Sequence, residues 1–422
     1  MQYNKTILDN GLRVITVPMK DNPTVTVFVL VEAGSKYETK EKNGVSHFLE
    51  HMCFKGTVKR PNNSDISTEL DNIGAHYNAF TSQEYTGYYA KAQYTHVDKL
   101  IDVVSDMYLN PIFDKKEIEK EKGVIIEEIN MYEDLPQYKV HNLITELVYG
   151  DQPAGWDIAG PKENIRQMDQ NDFINYRNKF YVSSATTVIV SGNFNEQKVL
   201  ENINDLFGVM PKLEKGNKEK AKEVQIKPEV CVYKKETDQT HLVIAVRTFN
   251  TYDKRDVVMD VLVGVLDAGM SSRLFKKLRD EMGVCYYVDA CQDSLTDHGL
   301  FTISAGVDSR RVFETVSVIL NELNKLKTDL VLPAELLKVK QNLVGTMYLS
   351  LESSDSLAKF YGGQEILNKQ IKTPVEIKAE IESVTADEVL ALAKEIFVNE
   401  GLNLAIVGRF EDKTEFERIL KF

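Results

Sequence analysis

The chain has 422 residues, 43% of them hydrophobic, which exceeds the usual single-domain size and supplies apolar material for two or three cores. Its net charge of -13 argues against nucleic acid as a partner, and no apolar run reaches membrane-spanning length. Cys53, Cys231, Cys285 and Cys291 lack CxxC spacing, so no disulfide framework or cysteine-rich zinc site is expected. The start, MQYNKTILDNG, has no apolar or Arg-rich leader segment, and a reducing, cytoplasmic setting is the expectation.

In chain order, Val25, Val27, Val29 and Val31 alternate as a strand with one buried face. His47-Phe48-Leu49-Glu50-His51 follows. Residues four apart on a helix are neighbours, so both imidazoles can reach one cation while Glu50 projects beside them. This is the inverted H-x-x-E-H form of the zincin motif, with Glu50 as candidate general base. The competing reading is a plain polar face opposite the apolar stripe Val45, Phe48, Leu49 and Met52. Phe54 shares that polar face, which suggests a partly enclosed space.

The alternation of His76 to Thr81, HYNAFT, suits an edge strand able to pair with an extended peptide, or else an ordinary sheet edge. Tyr85 to Ala92 offers the next strand. A catalytic zinc wants three protein ligands, and the stretch Asp114 to Asp134 is the place to look for the third. As a helix it puts Ile118, Ile125, Ile129 and Tyr132 on one face, with Glu121 and Glu128 at its edge and Glu127 nearly opposite. Glu128 is the better candidate ligand, and Glu121, two turns earlier, could orient a ligand from behind. The alternative is a solvated helix whose acids pair with Lys120 and Lys122. His96, His141, His241 and His298 have no ligand-spaced companion.

Helical patterns fill 134–149 and 164–179. Between Pro211 and Pro228 the chain turns Lys- and Glu-rich, giving a linker at 212–228 between domains 1–211 and 229–422. Strands are expected at 241–247 and 299–306, helices at 256–267 and 333–351. TTVIVSGNF and LNLAIVGRF each end in a turn, at Gly192 or Gly408, before an amphipathic helix, so duplication of one domain is the economical explanation, against two unrelated domains sharing a common unit. The fold class is α+β, each domain a mainly antiparallel sheet with helices on one face.

HFLEH, the ExxxxxxE of Glu121 to Glu128 and their spacing resemble the pitrilysin/insulysin family of zinc peptidases, which includes the mitochondrial processing peptidases. LDNGLRVITVP, VFVLVEAGSKYE, GAHYNAFTSQEYTGYY and SSRLFKKLRDEMGVCYYV run in the family's order. The resemblance implies two related domains forming half of a clam-like chamber, with one Zn2+ per chain held by His47, His51 and Glu128, Glu50 as base and Glu121 behind the ligands. It implies that Arg279 and Tyr286 match the pair that contacts substrate and stabilises the transition state. Asn78, Ala79 and Phe80 are the candidates for the substrate strand. It further implies a zinc endopeptidase for unfolded peptides or leader sequences, working as a homodimer in which Arg279 and Tyr286 serve the partner's zinc; a monomer built in cis, or a catalytically silent chamber protein, is the alternative. PAGWDIAG (153–160) departs from the family's usual Pro-Leu-Gly type of segment, which bears on substrate preference and, on the sequence, not on the metal.

Overall fold

The alternating valines form β3 (Thr24–Val31) in a computed structural model that describes residues 2–422. Both faces of β3 are buried, where the alternation alone accounts for one. The valine face meets the helix Val97–Leu109 and the first core. The opposite face, Thr26, Phe28 and Leu30, is covered by the helix Ser354–Leu367 from far along the chain. Ser354 Oγ lies 2.9 Å from Thr26 Oγ1, and a Cβ on Gly362 would stand 2.7 Å from Leu30 Cδ1, so this helix sits close on the sheet. The fold thus adds one helix to the face that the sequence leaves open.

The chain divides into two units, and their membership crosses the expected boundaries. The first comprises Met1–Ile129, Trp156–Glu219 and Ser350–Thr373; the second comprises Asn130–Gly155, Lys220–Leu349 and Pro374–Phe422. Each sheet is therefore covered by a helix that belongs in sequence to the other half. In the first unit it is Ser354–Leu367. In the second it is Pro136–Tyr149, whose Val140, Ile144 and Val148 join Val243, Ala245, Ala405 and Val407 in one cluster. Burial of complementary apolar faces decides which sheet a helix covers, and a cut at the charged linker cannot express that.

The first sheet holds β1 (Asn4–Ile7), β2 (Arg13–Pro18), β3, β4 (His76–Thr81), β5 (Thr86–Gln93) and β6 (Thr186–Gly192), in the order β1-β2-β6-β3-β5-β4. The second holds β7 (Glu229–Lys234), β8 (Gln239–Thr248), β9 (Cys285–Ser294), β10 (Gly299–Asp308) and β11 (Asn403–Gly408), in the order β7-β11-β8-β10-β9. Leaving out β1, the two orders are the same. In each, the last strand runs parallel to the first and antiparallel to the second. The strand-turn-helix endings are present as β6 before Glu196–Phe207 and β11 before Thr414–Ile419. Shared order and sense support duplication, since unrelated domains have no reason to agree in both. β4 lies at a sheet edge, as its sequence suggests.

The charged linker is fastened at both ends. Lys215 pairs with Glu32 and Lys218 with Glu84, both buried acids of the first unit. Ala221 N–H donates to Asp297 in the second, and Lys222 N–H to Gln152. No helix among the described residues is long and apolar enough to cross a membrane.

Candidate metal centre

The motif helix runs Val45–Met52, and its buried face is the expected stripe of Val45, Phe48, Leu49 and Met52. Phe48 meets Phe173 edge-on, with ring centroids 4.8 Å apart. The helix starts at Gly44, whose φ of 101° is left-handed and whose missing Cβ would lie 2.5 Å from Ala159 O. With no side-chain cap of its own, the helix borrows one. Buried Glu38 accepts Gly44 N–H and Ser46 N–H at 2.8 Å, Asn43 Nδ2–H at 2.9 Å and the Ser46 hydroxyl. A carboxylate there satisfies orphan amides and complements the helix dipole. Asn43 Nδ2 also reaches Asp157 O, so the divergent segment after Trp156 packs against the entry to the motif helix; it bears on the metal helix after all.

His47, His51 and Glu128 come together with one donor atom each inside a 4.8 Å cluster. Glu128 Oε2 stands 3.7 Å from His47 Nε2 and 3.5 Å from His51 Nε2. Around a tetrahedral ion with bonds of about 2.0–2.1 Å, neighbouring donors stand roughly 3.3–3.5 Å apart, so this spacing suits zinc. Behind it, Glu121 Oε1 lies 2.9 Å from His51 Nδ1, and its other oxygen pairs with Lys55 Nζ at 2.7 Å. Lys120 pairs with Glu117 and Lys122 with Glu119, so the solvated-helix alternative fails: the lysines take neighbouring acids and leave Glu121 and Glu128 to the histidines.

The charges fit a cation. Burial, with the neighbouring His51 charge, holds His47 down at about 4, so its ring is neutral at pH 7 and has one nitrogen lone pair to offer a cation. Burial alone would also lower His51, but the Glu121 hydrogen bond and the charges of Glu50, Glu121 and Glu128 outweigh it and leave the ring above its ordinary value. Three carboxylates converge here with Lys55, a surplus of negative charge that a divalent ion relieves. His47 Nδ1 is buried without a hydrogen-bond partner among the described residues, so the ring's remaining polar contact is on the Nε2 side. Glu121→Gln should weaken zinc binding about 10- to 100-fold, because His51 loses the acceptor that orients it. Competition with a chelator measures this; unchanged affinity would remove Glu121 from the site.

Glu50 is 9% exposed, and burial raises its carboxyl above the usual range, with Glu128 adding to the rise; the Thr81 hydrogen bond and His51 oppose it. Thr81 Oγ1 donates to Glu50 Oε2 at 2.6 Å. Thr81, Glu38 and Lys55 are absent from the sequence-based site. Thr81 does close the HYNAFT segment, so its place on the strand is readable but its contact is not.

On β4, Asn78 Oδ1 accepts Ala79 N–H at 2.9 Å. The Phe80 ring lies against Phe28 and Tyr85, over Gly87, where a Cβ would come within 2.8 Å of it. Arg279 and Tyr286 belong to the second unit. Arg279 sits on a π-helical segment, Phe275–Glu281, with its guanidinium 5.0 Å from the Phe275 ring centroid and no ion pair among the described residues. Tyr286, on β9, is 76% exposed.

A zinc protease of Bacillus subtilis, itself uncharacterized, is 35% identical over 402 residues, covering 94% of this chain and 96% of its own. The insulinase (peptidase family M16) profile matches residues 13–162, and the M16 inactive domain profile residues 167–343. The chain belongs to peptidase family M16. Bovine mitochondrial-processing peptidase subunit beta is 30% identical over 433 residues, covering 98% of this chain and 86% of its own. Among solved structures, a protease from Helicobacter pylori matches with a TM-score of 0.89 at 22% identity, over 96% of this chain and 99% of that one. This likeness bears on the fold and agrees with the α+β, two-domain expectation. M16 relatives named zinc proteases make zinc the cofactor that goes with the donor set. The inactive-domain match also has a local counterpart. In the second unit the helix Asp256–Asp267 follows β8 as the motif helix follows β3, yet it carries no His or Glu, and a Cβ on Gly264 would stand 2.6 Å from Val339. Apolar packing occupies it instead.

Proposed function

We propose that this M16 chain is a zinc endopeptidase hydrolysing unfolded peptides or leader sequences, with one zinc per chain and Glu50 as general base. The observation that carries it is the convergence of His47, His51 and Glu128 with Glu50 on the same helix and Glu121 behind His51. A silent scaffold needs neither a buried base nor an oriented ligand set. Zinc bound there supplies a Lewis acid for the scissile carbonyl and makes water more acidic. Glu50 takes a proton from the attacking water and delivers it to the leaving amine, a task that its raised carboxyl suits. A peptide lies extended along β4, adding a strand at the sheet edge near Asn78, Ala79 and Phe80; folded proteins, whose backbones are already paired, are poor substrates. The exposed Tyr286 hydroxyl donates to the developing oxyanion, and Arg279, free of ion pairs among the described residues, clamps substrate backbone. A homodimer supplies that pair to each zinc from the partner chain within an enclosed chamber. The four free thiols support a reducing, cytoplasmic setting.

Metal analysis with product mapping on a mixture of unstructured peptides tests this reading. Cleavage should stop on chelation, return with zinc and accompany one zinc per chain. A zinc-loaded preparation that leaves the mixture uncut would favour the silent chamber protein.

A further inference from the structure

We propose that Thr81 is a positioning residue for Glu50, tying the base to the strand on which substrate docks. This rests on the peptidase reading above. Thr81 is the last residue of the edge strand β4 and pairs with Thr86 of β5. Its backbone end is locked: the turn that follows closes through Ser82 N–H to Tyr85 O at 2.9 Å, and Ser35 N–H and Lys36 N–H donate to Ser82 O and Gln83 O. The hydroxyl is therefore held at a fixed point when it donates to Glu50 Oε2 at 2.6 Å. No other side chain among the described residues donates to Glu50.

The bond selects an oxygen. A hydroxyl has one proton, and giving it to Oε2 leaves Oε1 with its lone pairs unengaged. The water's O–H bond breaks as a new O–H forms on Oε1, while the water oxygen adds to the scissile carbon. The Oε1–H bond then breaks as the departing nitrogen gains an N–H and the C–N bond is lost. Thr81 changes no bond itself. It keeps the carboxylate in one rotamer, with Oε1 as the oxygen it leaves unengaged. Because the same residue ends β4, a peptide paired along that strand is set in register with the base rather than merely held near it.

Thr81→Val keeps shape and β-branching and removes the donor; Thr81→Ser keeps the donor. Thr81→Val should lower kcat about 10- to 100-fold with KM within about twofold and zinc content unchanged, since loss of an orienting contact or a misplacement near 1 Å has effects of that order. Thr81→Ser should stay within about threefold of the parent kcat, as the donor survives. Peptide affinity measured by calorimetry in a Glu50→Gln background should be the same with Thr81 or Val. Parent kcat in Thr81→Val, an equal loss in Thr81→Ser, or loss of zinc or peptide affinity in Thr81→Val would each overturn the role, while the peptidase reading stands as long as the parent chain cleaves and Glu50→Gln does not. Full cleavage by Glu50→Gln would remove both.

Discussion

Glu50→Gln is expected to retain one zinc per chain and lose about 10²–10⁴-fold in kcat, the range typical of a general acid–base group. Gln is nearly the same shape, and the donors His47, His51 and Glu128 lie outside the change, so the donor cluster survives. Gln can still accept the Thr81 hydroxyl through its amide oxygen, so the local packing survives too. What is lost is the site for a proton in transit. KM should move little, because no contact made only to ground-state substrate disappears. Turnover on an unstructured fluorogenic peptide, measured beside zinc content, gives the result; parent-level kcat in the zinc-loaded variant would show that the base is another group. Glu121→Gln provides the contrast. It is expected to change how tightly metal is held, through the contact of Glu121 with His51, and leaves the Glu50 carboxylate in place.

The donor cluster of His47, His51 and Glu128 is legible in the sequence because its geometry is local. Helical spacing alone brings His47 beside His51, and helical phase alone places Glu121 and Glu128 on one edge while Glu127 points away. Only the meeting of the two helices needs the fold. Thr81 and Glu38 are different in kind. Thr81 meets Glu50 across 31 residues of chain, and Glu38 caps the motif helix from outside it, so no periodicity announces either contact. The helix on the far face of β3 is the extreme case, since Thr26 meets Ser354 across 328 residues. Phe28 and Leu30 in TVTVFVLV do show that the second face is apolar, but not what covers it. For the same reason the linker looks like a clean boundary: its composition shows where the chain is charged, while the exchange of Pro136–Tyr149 and Ser354–Leu367 depends on which sheet offers each helix a complementary surface.

Mixing two inactive chains, Glu50→Gln and Tyr286→Phe, should restore about a quarter of parent activity if each zinc is served by the partner's Tyr286. Each homodimer alone is deficient at both sites, one lacking the base and the other the oxyanion donor; removing a single such donor typically lowers kcat about 10²–10³-fold. In the mixed dimer both defects fall together at one site. The other site combines intact Glu50 from one chain with intact Tyr286 from its partner. Equal mixing makes roughly half of the dimers mixed, each with one good site of two, which sets the expected level. The exposure of Tyr286 and the lack of an ion pair at Arg279 among the described residues are what such a division requires, because a group that acts on another chain must be unspent on its own. Exchange is followed independently with chains carrying two different fluorophores. Recovery that rises with exchange and levels off near the expected fraction supports composite sites; complete exchange with no recovery means that Arg279 and Tyr286 serve the zinc of their own chain.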